Sequence, residues 1–286
     1  MFWMLLLMIA YKIESGEMQI VRERGKETIL FYGGVVITDT NLVLTSPSAI
    51  YVEKEGIMEL SGPVSGVSGS RSLRCERATI FEKSRIFKGY GSCHVEGPGE
   101  KLVCDSIILH GDSILAFGNV FVRSEKDSIE AKGSVILLKE NFIRSLGNGY
   151  LGSTGKDSIS LYSDCYIYQD SVLSASKNVA LFSPDFEARG DSLYYDRRVR
   201  ILTLSGNAQA KNEANTIMGD TILSFLNLDN KIDSTVAFPR ARLLNRENEK
   251  EIFLEADTIK FYTEGRDSLR YFRAYNVKGY YREGGE

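Results

Sequence analysis

Phe186 to Ala210 reads FEARGDSLYYDRRVRILTLSGNAQA. It holds two strand-like runs around a basic, polar corner, Asp196-Arg197-Arg198. In the second run Leu202, Leu204, Gly206, Ala208 and Ala210 fall on one side. Thr203, Ser205, Asn207, Gln209 and Lys211 fall on the other. That two-residue period is the mark of a half-buried β-strand.

The same text recurs along the chain. ILAFGNVFV, Ile114–Val122, matches ILTLSGNAQA, and Lys177-Asn178-Val179 is a weaker copy of the Gly-Asn step. The residues at that step are Gly34, Gly62, Gly91, Gly118, Gly147, Lys177, Gly206 and Ser234, spaced by 28, 29, 27, 29, 30, 29 and 28. A second marker keeps the same beat: Leu73-Arg-Cys-Glu76, Leu102-Val-Cys-Asp105, Ile129-Glu-Ala-Lys132, the longer Phe186–Asp191, Ile217-Met-Gly-Asp220 and Leu254-Glu-Ala-Asp257. A fixed period of this size means stacked supersecondary units, none able to bury its apolar side alone.

The chain has 286 residues, 43% hydrophobic and 26% charged, enough for a sizeable core. Its 26 Gly and five Pro suit a turn-rich β-protein. A formal charge of −3 argues against a dedicated nucleic-acid binder, which would carry a basic stripe. The arginines at 189, 197, 198, 200, 240, 242 and 246 read as solvated turn charges. Met1–Tyr11, MFWMLLLMIAY, is too short to span a bilayer and resembles the apolar part of a secretory signal. Residues 1–16 are therefore expected to be a signal-like or anchor segment, with 17–286 a single repeat domain. Glu14–Thr28 reads as a polar leader. Arg242–Glu251, RLLNRENEKE, reads as a charged insertion, a long loop or one or two helical turns.

No catalytic constellation emerges. The only histidines are His94 and His110, and His110-Gly-Asp112-Ser113 packs triad residue types around one turn, too close together for a relay. The recurring Asp-Ser pairs, at 105, 112, 127, 157, 170, 191, 233 and 267, are expected to cap turns. Cys75, Cys93, Cys104 and Cys165 have no zinc spacing. Cys75 and Cys104 occupy the same repeat position, where Ala131 and Ala256 stand elsewhere. A disulfide between them and a pair of small buried residues both fit. No metal and no cofactor is expected.

The segments Ala256-Asp257-Thr-Ile-Lys-Phe261, Gly219-Asp220-Thr-Ile-Leu-Ser, Gly190-Asp191-Ser-Leu-Tyr-Tyr195, Phe117-Gly118-Asn119-Val120 and Leu204-Ser-Gly206-Asn207-Ala208 carry a resemblance. They resemble the repeat of the OstA-like (organic solvent tolerance-like N-terminal), lipopolysaccharide-transport periplasmic β-jellyroll family, over most of Thr28–Lys278. The resemblance implies an all-β, elongated repeat β-jellyroll of about eight to nine stacked units of 27–30 residues. It implies a non-enzymatic periplasmic protein, secreted or anchored to the inner membrane by its N-terminal segment. Such a protein bridges lipopolysaccharide or another lipid and joins other OstA-like transport components, or copies of itself, end to end by strand addition.

The residues themselves agree on where lipid would lie. The small, apolar side of the strands includes Ile107, Ala116, Val120, Val122, Leu193, Leu204, Ala208, Ile222, Ile259 and Phe261. If the sheets close, these fill a core. If the jellyroll stays open, they line an apolar groove that binds acyl chains through area alone. Two alternatives stand beside this reading: a parallel β-helix enzyme acting on polysaccharide, and a structural or adhesive surface solenoid.

Overall fold

Alternation of apolar and polar side chains gives strands, and strands are all that the described residues contain. The computed structural model describes residues 11–23, 26–39, 42–153, 158–184, 186–228, 232–247, 250–264 and 268–283. Met1–Ala10, most of the signal-like segment, lie outside the described residues. The chain divides into two compact units, Met1–Leu146 and Gly147–Glu286. The division falls within one strand, β13 (Phe142–Ser153).

The first unit opens with six short strands: β1 (Lys12–Glu14), β2 (Glu17–Glu23), β3 (Lys26–Tyr32), β4 (Val35–Thr38), β5 (Val43–Ser46) and β6 (Ser48–Val52). Six long ones follow: β7 (Ile57–Ser68), β8 (Arg71–Phe81), β9 (Ile86–Gly97), β10 (Glu100–His110), β11 (Ser113–Ser124) and β12 (Ile129–Lys139). Each long strand pairs antiparallel with the next. The second unit repeats the pattern in reverse. Long strands β14 (Ser160–Gln169), β15 (Val172–Phe182), β16 (Glu187–Asp196), β17 (Ile201–Lys211) and β18 (Asn215–Leu226) come first. Short ones follow: β19 (Ile232–Phe238), β20 (Ala241–Glu247), β21 (Lys250–Ala256), β22 (Thr258–Glu264), β23 (Ser268–Tyr275) and β24 (Lys278–Glu283).

The short strands are long strands broken at the middle. β7 pairs with β6 along its first half and β5 along its second. β18 pairs with β20 along its first half and β19 along its second. In the long strands the same place is a bulge. β11 puts two residues, Gly118 and Asn119, where β12 has one between Val135 and Gly133. Both bulge residues are left-handed, with φ +69° and +47°. The same pair of left-handed residues stands at Gly91-Ser92, Gly147-Asn148, Lys177-Asn178 and Gly206-Asn207. The step residues from Gly34 to Gly206 thus all have positive φ. A bulge bends its strand and increases its twist, so a column of them folds each sheet into the two arms of a β-jellyroll. Pro63 follows Gly62 inside the β7 bulge, where no ladder N–H is needed.

At four corners an acid on the neighbouring strand is bonded to the corner residue. Asn119 Nδ2 donates to Asp105 Oδ2 at 3.0 Å and Asn178 Nδ2 to Asp164 Oδ2 at 3.0 Å. Asn276 donates to Asp257 at 2.6 Å, and Arg240, also left-handed, makes a forked contact with Asp220. This corrects the reading of the Asp-Ser pairs. Asp112, Asp127 and Asp170 do sit at hairpin turns. Asp105 and Asp191 are mid-strand, paired with corners, and Asp233 lies within β19. Asp157 and Asp267 lie outside the described residues.

Three further expectations change. Glu14–Thr28 is no leader: Glu17–Glu23 pairs residue by residue with Lys26–Tyr32. Arg242–Glu251 is neither loop nor helix but part of the hairpin β20–β21. Arg242 and Arg246 stand on the outer side in ion pairs with Glu255 and Glu251, while Ala241 and Leu243 are fully buried. Ser234 is not a step residue; the corner of that unit is Arg240, with φ +55°.

Gly118→Ala sets a Cβ 2.9 Å from the Asp105 Cβ at positive φ, a clash that no rotamer of Asp105 relieves. It should destabilise by about 3 kcal/mol or more. Gly111→Ala, also left-handed but with open space around it, should cost about 1–2 kcal/mol. Urea denaturation of the two variants checks the difference.

Candidate lipid-binding interior

The bulges set which side chains point inward. On β10 the inward residues are Leu102, Cys104, Ile107 and Leu109, so Asp105 and Ser106 stand consecutively between the two halves. Alternation is regular within each arm and slips by one at the corner.

Register then lines up these inward residues in rows. In the first unit one arm carries Phe31, Ala49, Leu60, Ala78, Gly89, Ile107, Ala116 and Ile136, each opposite the next across adjacent strands. The other arm carries Ile37, Leu44, Gly66, Leu73, Val95, Leu102, Val122 and Ala131 in the same way. In the second unit the row runs Tyr166, Ala175, Leu193, Leu204, Ile222, Ala237 and Ile259. In the row from Phe31 to Ile136 large residues mostly stand beside small ones, as Leu60 beside Ala78 and Ile107 beside Ala116.

All ten residues named from the sequence lie in this interior. Ile107, Ala116 and Ile259 are fully buried, and Val122, the most exposed of the ten, is at 4%. Ile107 faces Ala116; Leu193, Leu204 and Ile222 are consecutive in one row; Phe261 lies against Phe272 at 6.4 Å between ring centres. A single sheet face reaches such burial only under a second layer, and in a jellyroll the second layer is the other arm. Tyr195 is half-buried, and desolvation raises its phenol pKa.

Several interior features had no sequence signal. Ser224 and Thr235 hydrogen-bond to each other at 2.9 Å and are both buried. Ser145 is fully buried and its hydroxyl makes no hydrogen bond to the described residues. Glu100 is the one charged residue buried among the described residues; it lies at the rim, 3.5 Å from Arg71. Cys93 stands between Cys75 and Cys104 and is fully buried. A period-two reading could have found it, since Cys93 and Val95 alternate with His94 and Glu96.

His110 pairs with Ser113 across the end of a hairpin, and no group of three or more His, Cys, Asp or Glu among the described residues is placed to hold a metal. The interior chemistry is apolar, enclosed by an antiparallel sheet bent at a recurring acid-secured corner. Fold and interior together define a repeat β-jellyroll. Residues 43–229 match the family described as LptA/(LptD N-terminal domain) LPS transport protein, and the chain belongs to that family. Among solved structures it is similar to LptH, the LptA homologous periplasmic component of the conserved lipopolysaccharide transport device from Pseudomonas aeruginosa. The identity is 18%, the TM-score 0.34, and the match covers 37% of this chain and 82% of that one. No curated protein sequence matches the chain.

Phe261→Ala should lower stability by about 3–5 kcal/mol, because it opens a cavity between packed rows. Val199→Ala, at a residue 61% exposed on a turn, should change it by less than about 0.5 kcal/mol. Denaturation midpoints of the two proteins check both.

Proposed function

We propose that this chain is a non-catalytic carrier that shields the acyl chains of lipopolysaccharide, or of a lipid like it, in the interior of its jellyroll as they cross the periplasm. The observation that supports it most is the unbroken run of apolar residues along each arm, from Phe31 to Ile136 in one unit and from Tyr166 to Ile259 in the other. A row of this kind offers a hydrocarbon chain continuous apolar surface, at roughly 25 cal/mol per Å² removed from water. Lipid enters by parting the two arms. That motion separates side chains and leaves the ladder hydrogen bonds of each arm intact, because every ladder runs between neighbouring strands.

The free edges suggest how the carrier extends. Among the described residues β2 pairs only with β3, and β24 only with β21. Both edges expose apolar side chains: Met18 at 57% and Ile20 at 46% on β2, and Tyr281 at 57% on β24. Unpaired, apolar edges recruit a further strand. Other transport components, or other copies of this chain, would fill them. A purely structural solenoid is the competing reading, favoured by how completely the interior is buried.

Site-specific photo-crosslinking in cells separates them. Probes at Val120 and Ala208, which face inward, should capture lipid; probes at the outward Asn119 and Gln209 should not. Absence of lipid at all four positions in a folded protein would make the interior a closed core and the chain a structural solenoid.

A further inference from the structure

Three consecutive strands, β8, β9 and β10, each place one cysteine on the inward side beside the corner: Cys75, Cys93 and Cys104. Cys93 and Cys104 are register partners across the β9–β10 hairpin. Directly opposed residues of an antiparallel pair have Cα atoms about 4.5 or 5.5 Å apart. Disulfides form at Cα separations of about 4.4–6.8 Å, so either kind of pairing admits one. Cys75 follows Arg74, the partner of His94, and so lies on the opposite flank of Cys93. The Cys75 and Cys93 sulfurs both rest over Gly89, 3.2 and 3.3 Å from where a Cβ would stand. The order across the sheet is therefore Cys75, Cys93, Cys104. The pair suggested by repeat position alone, Cys75 and Cys104, is separated by a whole strand.

We propose that Cys93 and Cys104 form a disulfide across the β9–β10 hairpin, leaving Cys75 reduced beside it. Cys93 can pair only once, and two observations favour Cys104. The Cys93 thiol points toward β10, with its sulfur 3.9 Å from the Asp105 carbonyl oxygen. The hairpin joining 93 to 104 is also shorter than the one joining 75 to 93, so its ends meet at lower entropic cost. In the finished fold the two thiols are coupled to each other. A hydrogen bond from Cys93 holds Cys104 below the usual thiol range against the opposing effect of burial. Cys93 is pushed up to about 12, chiefly by its hydrogen bond with Cys104.

The oxidant is an external disulfide, either a small molecule or a protein. The Cys104 thiolate attacks one of its sulfurs, forming a mixed disulfide and releasing the other sulfur as a thiol. Cys93 then attacks the Cys104 sulfur and expels the second thiol. One external disulfide becomes two thiols, which take up the two cysteine protons, and the protein gains one disulfide. Both sulfurs are buried in the finished fold. The exchange therefore belongs to folding, after the hairpin closes and before β8 and β11 cover it. The resulting crosslink sits one residue from the corner acid Asp105 and ties β9 to β10 where the arms diverge.

The test is a thiol map of the full chain. The protein is refolded in a mixture of oxidised and reduced glutathione, alkylated in denaturant and digested with trypsin. Cys93 and Cys104 fall in separate peptides, Gly89–Lys101 and Leu102–Arg123. The expected result is these two peptides joined, with Cys75 and Cys165 alkylated, and the link lost on reduction. Cys93→Ala, checked for folding by circular dichroism, should leave its three remaining cysteines fully alkylated. Alkylation of all four cysteines in the unreduced wild type, or a link from Cys75 to either partner, would overturn the assignment. The wild-type map decides even if the variant fails to fold.

Discussion

The architecture depends on one recurring interaction: a carboxylate on one strand set against a left-handed corner on the next. Two consecutive residues at positive φ are costly for ordinary side chains. Gly-Asn lowers that cost, since glycine tolerates the conformation and asparagine visits it readily. The acid then holds what the backbone would not keep by itself. Asp105 bonds Asn119, Asp164 bonds Asn178, and Asp257 bonds Asn276. At Lys177-Asn178 the glycine has been lost but the left-handed pair and its acid remain. Where Arg240 replaces the asparagine, its guanidinium grips both oxygens of Asp220. The acid and the corner are one device split between two strands. That is why the two sequence markers keep the same beat.

From the corner the interior follows. Each bulge reverses the parity of the facing strand, so both of its halves can turn apolar residues inward although the two halves point in different directions. On β8 the inward set is Leu73, Cys75, Ala78 and Ile80, a spacing that no continuous strand could bury on one side. The slip at the corner is thus what lets one strand serve two arms. Small residues next to the slip make the bend fit. Gly89 lies over the Cys75 and Cys93 sulfurs, and Gly66 lies against Leu44. Substituting any larger residue at these places would push the arms apart from within.

Much of this was legible before any coordinates. The Gly-Asn step and the strand alternation are properties of short windows, and the repeat multiplies a weak signal. The ten interior residues were legible for the same reason. Other features were hidden because they depend on pairing. Asp105-Ser106 and Asp112-Ser113 look alike in sequence, yet one secures a corner and the other a hairpin turn. Arg242–Glu251 looked like an insertion because its charges outnumber its apolar residues. Only cross-strand pairing shows that Arg242 and Arg246 face out while Leu243 and Leu254 oppose each other. Repeat position put Cys75 beside Cys104, because counting along the chain ignores the return strand that carries Cys93.

The composition of the interior limits what it can recognise. Glu100 is the one buried charge among the described residues, and it lies at the rim with Arg71. Polar side chains in the interior are few: Ser224 and Thr235 satisfy each other, and the Ser145 hydroxyl makes no hydrogen bond to the described residues. Such a surface offers no directional contacts that would discriminate one acyl chain from another; it senses width and apolar area. A charged headgroup would have to shed its water to enter, at a cost that no partner in the rows repays. Under the proposed function the acyl chain would lie between the arms and the headgroup would stay in solvent. On that proposal the rows need only stay continuous, and selectivity among lipids would have to come from partners rather than from the interior.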